Sequence, residues 1–269
     1  MSRIEEALEK AAKLRNGVTL VAVPEKADQR THLPPPATES LQVDNMLMVS
    51  VTDALAPAAE EYRKLKSIIV KLTKGEEFRN MLMVTSSIAS EGKSITSLNL
   101  AMSLAQEFDH TVLLVDADIR RSSIHNYLGI ENRVGLAECV LDGLDPKKAL
   151  VRTGIGRLSV LPAGRQVSNP AEVFSSRRFR EFLLEMKNRY RDRYVIIDTP
   201  PVLPFAETRS LSAIVDGVVL VVKEGRVTLD NINETIECLK GSNLLGVVYN
   251  EAAKAPHADL QQYYRQDAA

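Results

Sequence analysis

The sequence predicts an α/β protein: a mostly parallel β-sheet with helices on both faces. Three observations predict it. Short, nearly continuous apolar runs alternate with amphipathic stretches from residue 81 to residue 249, as expected when crossover helices cover both faces of buried strands. The first run, Met81–Thr85, leads through Ser86-Ser87-Ile88-Ala89-Ser90-Glu91-Gly92-Lys93-Ser94 into apolar residues at 95, 98, 101, 102, 104, 105 and 108, a helical spacing. Two later runs, at 111–115 and 194–197, each end in a carboxylate, Asp116 and Asp198. In such folds ligands bind outside the carboxyl ends of the strands.

In chain order, residues 2–14 read as a short charged helix with a narrow seam of Ile4, Leu8, Ala11 and Ala12. That seam suits either docking on its own domain or contact with a partner. Pro24, Pro34, Pro35 and Pro36 make 24–40 a flexible or extended linker. The expected organisation is an N-terminal helix at 1–15, a proline-rich linker and lead-in at 16–56, a main domain at 57–253 and a flexible tail at 254–269. The main domain opens with helical periodicity over 57–73, with Tyr62, Leu65, Ile68, Ile69 and Leu72 on one side. Strands are expected at 81–85, 111–115, 158–161, 194–197, 217–222 and 244–249. Helices are expected at 94–108, 135–142, 176–190, 206–214 and 228–240.

A strand, a tight turn ending in Gly-Lys-Ser and a helix make a phosphate-binding geometry. Backbone N–H groups and the helix N-terminus face the phosphates, the lysine reaches the terminal ones, and the serine hydroxyl ligates magnesium. Residue 87, where such loops usually place their first glycine, is Ser87. The fold is therefore expected to be of the deviant Walker P-loop NTPase kind. Asp116-Ala117-Asp118-Ile119-Arg120 follows one strand and Asp198-Thr199-Pro200-Pro201 another. The second is the expected Walker B element, whose carboxylate holds magnesium. A solvated loop would be the ordinary reading of Asp116 and Asp118 alone. One helix after a phosphate loop, the pair reads as metal or base machinery.

Composition sets the other bounds. The chain has 269 residues, a formal net charge of -1, 45% hydrophobic and 26% charged residues, enough for one large α/β domain plus appendages. A balanced charge supplies no field for nucleic acid or acidic lipid. No stretch approaches a membrane span, and the N-terminus lacks a signal-peptide core, so a cytoplasmic location is expected. Cys139 and Cys238 fall in expected helices without metal spacing and read as reduced thiols.

The deviant loop, the Asp-x-Asp-x-Arg segment and the Ile-Ile-Asp-Thr-Pro-Pro strand together resemble the bacterial tyrosine kinases of polysaccharide export. These share a fold with partitioning and septum-placement ATPases of the MinD/ParA type. The resemblance covers about 57–250. It includes Ala-Glu-Glu-Tyr-Arg-Lys-Leu-Lys-Ser at 59–67, where the family carries Glu-x-x-Arg-x-x-Arg for ring-like self-association. The corresponding positions are Glu60, Arg63 and Lys66, the last losing the planar fork of arginine. An ordinary charged helix face is the alternative. The N-terminal Met-Ser-Arg-Ile-Glu-Glu-Ala-Leu-Glu-Lys-Ala and the proline linker are similar to the branch associated with exosortase and exopolysaccharide clusters.

The resemblance implies ATP and Mg2+ as cofactors. It places Ser90, Glu91, Gly92, Lys93, Ser94 and Ile95 around the phosphates and Asn250 at the base. Lys93 would contact the transferring phosphate, and Ser94 and Asp198 would hold the metal. Asp116 and Asp118 would divide two roles, supporting magnesium and deprotonating the attacking tyrosine. Asp116 is favoured as base and Asp118 as metal support, although the sequence does not separate them. Arg120 would stabilise phosphate charge or be structural. The acceptors would be Tyr263 and Tyr264, phosphorylated by a neighbouring subunit, or an aromatic pair packing back onto the domain. Tyr62, Tyr127, Tyr190, Tyr194 and Tyr249 fall within expected elements and read as structural. Implied partners are a second copy, a transmembrane activator of the chain-length-determinant type, which would recruit the chain to the inner face of the membrane, and a tyrosine phosphatase. The alternative is a MinD/ParA-type switch ATPase without tyrosine kinase activity. That class adds a lysine early in the loop, and residues 86–89 contain none. A nucleotide-binding regulatory subunit without catalysis is a third reading.

Overall fold

A computed structural model describes residues 41–75, 77–107, 109–189 and 192–253. The expected N-terminal helix, most of the linker and the tail with Tyr263 and Tyr264 lie outside the described residues, as does Tyr190.

Among the described residues seven strands form one sheet: β1 (Met81–Ser86), β2 (Thr111–Asp116), β3 (Val151–Arg152), β4 (Leu158–Leu161), β5 (Arg193–Asp198), β6 (Gly217–Lys223) and β7 (Leu244–Asn250). Their order is β3-β4-β2-β5-β1-β6-β7. All neighbours are parallel except β3 and β4. Six of the seven are the expected strands, five of them extended by a residue or two and β4 as expected. The two-residue β3 was not foreseen, being too short to carry an apolar pattern.

Strand alternation splits the core in two. Met81, Met83, Leu113, Val115, Val195 and Ile197 point to one face, where α5 (Leu136–Leu141), α7 (Pro170–Ser175) and α8 (Arg177–Asn188) cover them. Leu82, Val84, Val112, Leu114, Tyr194 and Ile196 point to the other, under α3 (Lys93–Ala105) and α4 (Ile124–Leu128). Tyr194 is fully buried, with its hydroxyl 2.7 Å from Thr73 Oγ1 and its ring edge-on to Phe78. It is structural, as expected. The remaining helices are α1 (Val49–Thr52), α2 (Pro57–Thr73), α6 (Pro146–Ala149), α9 (Ala206–Ser212) and α10 (Leu229–Cys238).

Two expectations are corrected here. Residues 41–56 are more than a lead-in to the domain, because they pack on it. Met48 is fully buried, and the Asn99 side chain accepts from Ser50 N at 3.0 Å and donates to Leu47 O at 2.8 Å. This clamp is why α3 is buried almost all round instead of amphipathic. On α2 the buried stripe is Ala59, Ile69 and Thr73, whereas Ile68 and Leu72 face outward.

Candidate functional site

The carboxyl ends of β1, β2 and β5 converge on the 87–94 loop, because β5 lies between the other two in the sheet. In the register Asp116 stands opposite Asp198. The loop turns at two left-handed residues, Ser90 at φ 68° and Gly92 at φ 90°. A Cβ on Gly92 would lie 2.1 Å from Asn250 Nδ2, so only glycine fits without displacing that side chain. Asn250 donates to Glu91 O at 2.9 Å and so braces the loop from the end of β7. Glu91 is fully buried; its carboxylate accepts from Ile88 N at 2.7 Å and Lys223 N at 3.3 Å, tying the loop to itself and to β6. Burial raises its pKa against those N–H donors. This bracing by two side chains was not legible in the sequence, which assigned Glu91 by its backbone and Asn250 to a base.

At the start of α3, Ser94 donates to Asp198 Oδ2 at 2.5 Å, and Ser97 donates to Asp198 Oδ1 at 3.1 Å. Lys93 Nζ lies 2.8 Å from Asp118 Oδ2 and 3.9 Å from Asp198 Oδ2. Burial pulls the Lys93 pKa down, but Asp198 and Asp118 outweigh it and the net direction is up, so the ammonium stays charged. The Asp198 pKa is raised, first by burial, against the opposing pull of Lys93 and Ser94.

Asp116 is fully buried and well above the usual carboxylate range, because of burial and then the Asp198 and Asp118 charges. Its oxygens accept from Asp118 N at 3.2 Å and Ile124 N at 3.3 Å. It therefore shapes the turn that presents Asp118. Asp118, not Asp116, lines the cleft beside the loop.

That cleft has a volume of about 420 Å³. One wall is the phosphate loop with Lys93, Ser94 and Ile95; the other carries Arg120, Tyr127, Pro201, Pro204 and Phe205. Arg120 points away from a phosphate role here: it donates to the buried Glu207 at 2.6 Å and lies 4.6 Å over the Phe205 ring. Tyr127, half-buried, both lines the cleft and packs against the core beneath α3 and α4. Tyr62 is mostly covered, and burial raises its pKa. Tyr249 departs from its structural reading, being 57% exposed on the edge strand β7.

The donor set fits magnesium nucleotide. A hydroxyl and a carboxylate, both oxygen donors, meet at Ser94 and Asp198 beside a charged lysine and a left-handed glycine cradle at a helix N-terminus. Among the described residues no group of three or more His, Cys, Asp and Glu gathers as a metal site, consistent with an ion held by one or two side chains plus substrate phosphates. The site's residues fall at strand ends, on the loops that follow them and at the start of α3, which the sheet brings together. The expected association residues stand apart on α2: Arg63 binds Glu60 at 2.7 Å and Ala54 O at 2.8 Å, and Lys66 pairs with Glu107 at 2.9 Å.

A family model described as an AAA domain matches residues 82–243. The chain is 32% identical over 222 residues to tyrosine-protein kinase YwqD of Bacillus subtilis, covering 82% of this chain and 92% of that protein. Among solved structures it is 29% identical to the chimerical protein CapA2B2, covering 83% of this chain and 97% of that one, with a TM-score of 0.72. The kinase domain of the Escherichia coli tyrosine kinase ETK is also 29% identical, covering 82% and 84%, with a TM-score of 0.72.

Proposed function

The chain belongs to the family of bacterial tyrosine-protein kinases, and on that premise we propose that it is an ATP- and Mg2+-dependent tyrosine autokinase regulating exopolysaccharide synthesis or export. The observation that carries this reading is the Lys93 ammonium, 2.8 Å from Asp118 and 3.9 Å from Asp198, at the floor of an open cleft.

Backbone N–H groups of residues 90–94 and the α3 N-terminus receive the phosphates. Ser94 and Asp198 would hold the metal, with Asp118 as a further carboxylate at the cleft. When bound, Mg2+ neutralises charge on the phosphate oxygens. Nucleotide phosphates compete with Asp118 for Lys93, and breaking that ion pair frees the Asp118 carboxylate. Asp118, which faces the cleft, then takes the proton of the attacking tyrosine hydroxyl. The tyrosine oxygen bonds to the γ-phosphorus as the bond to the ADP oxygen breaks, and ADP leaves. Asp116 positions Asp118 through the turn between them, so in this proposal the base role favoured for Asp116 from sequence passes to Asp118. Asn250 supports nucleotide binding through the loop.

Tyr263 and Tyr264 are the proposed acceptors, phosphorylated by a second copy. Self-association would use α2, where Ile68 and Leu72 are exposed on the helix that carries Glu60, Arg63 and Lys66, with Leu55 exposed in the turn before it. Ion pairs on exposed surface are worth about 0–1 kcal/mol each, so those within the chain do not bar a change of partner. No described helix is long and apolar enough to cross a membrane; a transmembrane activator and recruitment to the inner face of the membrane belong to the proposal. The N-terminal segment and proline linker support the exosortase-associated branch. A tyrosine phosphatase would reverse the modification.

The test is incubation of the purified full chain with ATP and magnesium, with and without the cytoplasmic part of a candidate activator, followed by phosphotyrosine mapping. Phosphate on Tyr263 and Tyr264 is expected. ATP turnover without any phosphotyrosine would favour the switch ATPase.

A further inference from the structure

The cleft has two chemically different walls, and only one is made for phosphate. The wall formed by Pro201, Pro204 and Phe205 after β5 is apolar and aromatic, while Arg121, Ser123 and Tyr127 after β2 also line the cleft. Arg120 and Asp118 stand at its edge. We propose that this wall seats the ring of the acceptor tyrosine, with Phe205 as its main contact and Glu207 as a positioning residue that holds Arg120 against Phe205.

Three observations carry this inference. The first is placement: in the sheet β5 and β2 lie on one side of β1, and β6 and β7 on the other. Asn250 braces the loop from the β7 side, while the Phe205 wall and Asp118 share the β5–β2 side. A hydroxyl that surrenders its proton to Asp118 has to enter from that side. The second is chemistry: a phenol needs apolar area for its ring and a polar outlet for its hydroxyl. Pro201, Pro204 and Phe205 supply the first, and the Lys93–Asp118 pair supplies the second.

The third is rigidity. Phe205 is held by more than its own loop, because Arg120 Cζ lies 4.6 Å from the ring centroid and its guanidinium is fixed by Glu207 at 2.6 Å. Glu207 is 5% exposed, and a buried carboxylate with one close cationic partner keeps that partner in place. Arg120 is thereby occupied in bracing the wall. With Arg120 over one face of the ring, packing of a second aromatic ring is left to the edge and the other face of Phe205. The occupant is a tyrosyl ring on an extended protein segment, and Tyr263 and Tyr264 are the candidates within this chain.

The inference rests on the kinase reading, and one experiment separates the two. The enzyme is the full chain carrying Tyr263→Phe and Tyr264→Phe, and the acceptor is the full Lys93→Met chain, which keeps both tyrosines. Phosphotyrosine on the acceptor is measured against acceptor concentration, and affinity for a fluorescent ATP analogue is measured separately. Adding Phe205→Ala to the enzyme is expected to raise KM for the acceptor roughly tenfold, leave nucleotide affinity within about twofold, and be rescued by Phe205→Tyr. Unchanged KM in Phe205→Ala overturns the wall alone. Loss of nucleotide affinity in step with the rise in KM also overturns it, assigning the wall to the nucleotide. If the enzyme with Phe205 intact places no phosphotyrosine on the acceptor, with or without the cytoplasmic part of a candidate activator, the kinase reading fails and takes this inference with it.

Discussion

Gly92→Ala is the substitution whose cost can be worked most fully from the structure. Gly92 has φ 90°, and an added Cβ would meet Asn250 Nδ2 at 2.1 Å. An L-residue held in that left-handed region costs about 1–2 kcal/mol. The Asn250 amide has room to retreat only by giving up its 2.9 Å bond to Glu91 O, a further ~1 kcal/mol. The expected loss is therefore about 2–3 kcal/mol, or roughly 4–12 °C in Tm for a domain of this size. Asn250→Ala alone should cost about 1 kcal/mol. The double variant should cost no more than Gly92→Ala, because the bond that Asn250 makes is already broken there. Thermal melts of the four proteins without nucleotide form a double-mutant cycle with a coupling of about 1 kcal/mol. Strictly additive losses would refute the contact, and a Gly92→Ala chain as stable as wild type would refute the strain.

Asp116→Asn should gain stability relative to wild type as pH rises from about 5 to about 8. The sign follows from burial and the Asp198 and Asp118 charges, which raise the Asp116 pKa. A carboxylate raised in the folded state contributes stability that is complete below its unfolded pKa and lost as pH climbs through the folded one. Melts of both proteins across that range check it, and a constant difference in Tm would contradict it. Burial, with Glu138 and Asp145 nearby, lifts the Cys139 thiol from 9.0 to about 11. At pH 8 it should therefore alkylate about 100-fold more slowly than a free thiol, as peptide mapping after iodoacetamide would read. Glu91→Gln should loosen the loop, since a neutral amide has one acceptor oxygen for the two N–H groups that the carboxylate receives. A loss of about 1–3 kcal/mol in stability or nucleotide affinity is expected, and calorimetry showing neither would count against the bracing.

The fold was legible where information is local. Strands such as Met81–Ser86 and Arg193–Asp198 are buried on both faces, and a run of apolar residues bounded by chemistry announces that directly. The loop and its carboxylates were legible because Lys93, Ser94, Asp118 and Asp198 each sit at the end of such a run. What escaped notice depends on contacts between distant residues or on elements too short for periodicity. Five-residue α4 and six-residue α7 offer fewer than two turns. The burial of Met48 depends on Asn99, and the grip on Arg120 depends on Glu207, 87 residues away. The outward turn of Ile68 and Leu72 has a related cause: α1 and α3 choose which side of α2 is covered, and nothing within α2 itself records that choice. Asp116 and Asp118 look equivalent in sequence, and only the turn through Ile124 separates a buried support from a carboxylate at the cleft.

The central claim is that the Lys93 cluster moves phosphate onto tyrosine. Its most direct measurement is the intact mass of the full chain after incubation with ATP and magnesium, read with phosphosite mapping. Wild type is predicted to gain phosphate on Tyr263 and Tyr264, Lys93→Met to gain none, and Asp118→Asn to be slowed by about 100-fold or more. Phosphate arriving on Lys93→Met, or ATP consumed while the wild-type mass stays unchanged, would contradict it.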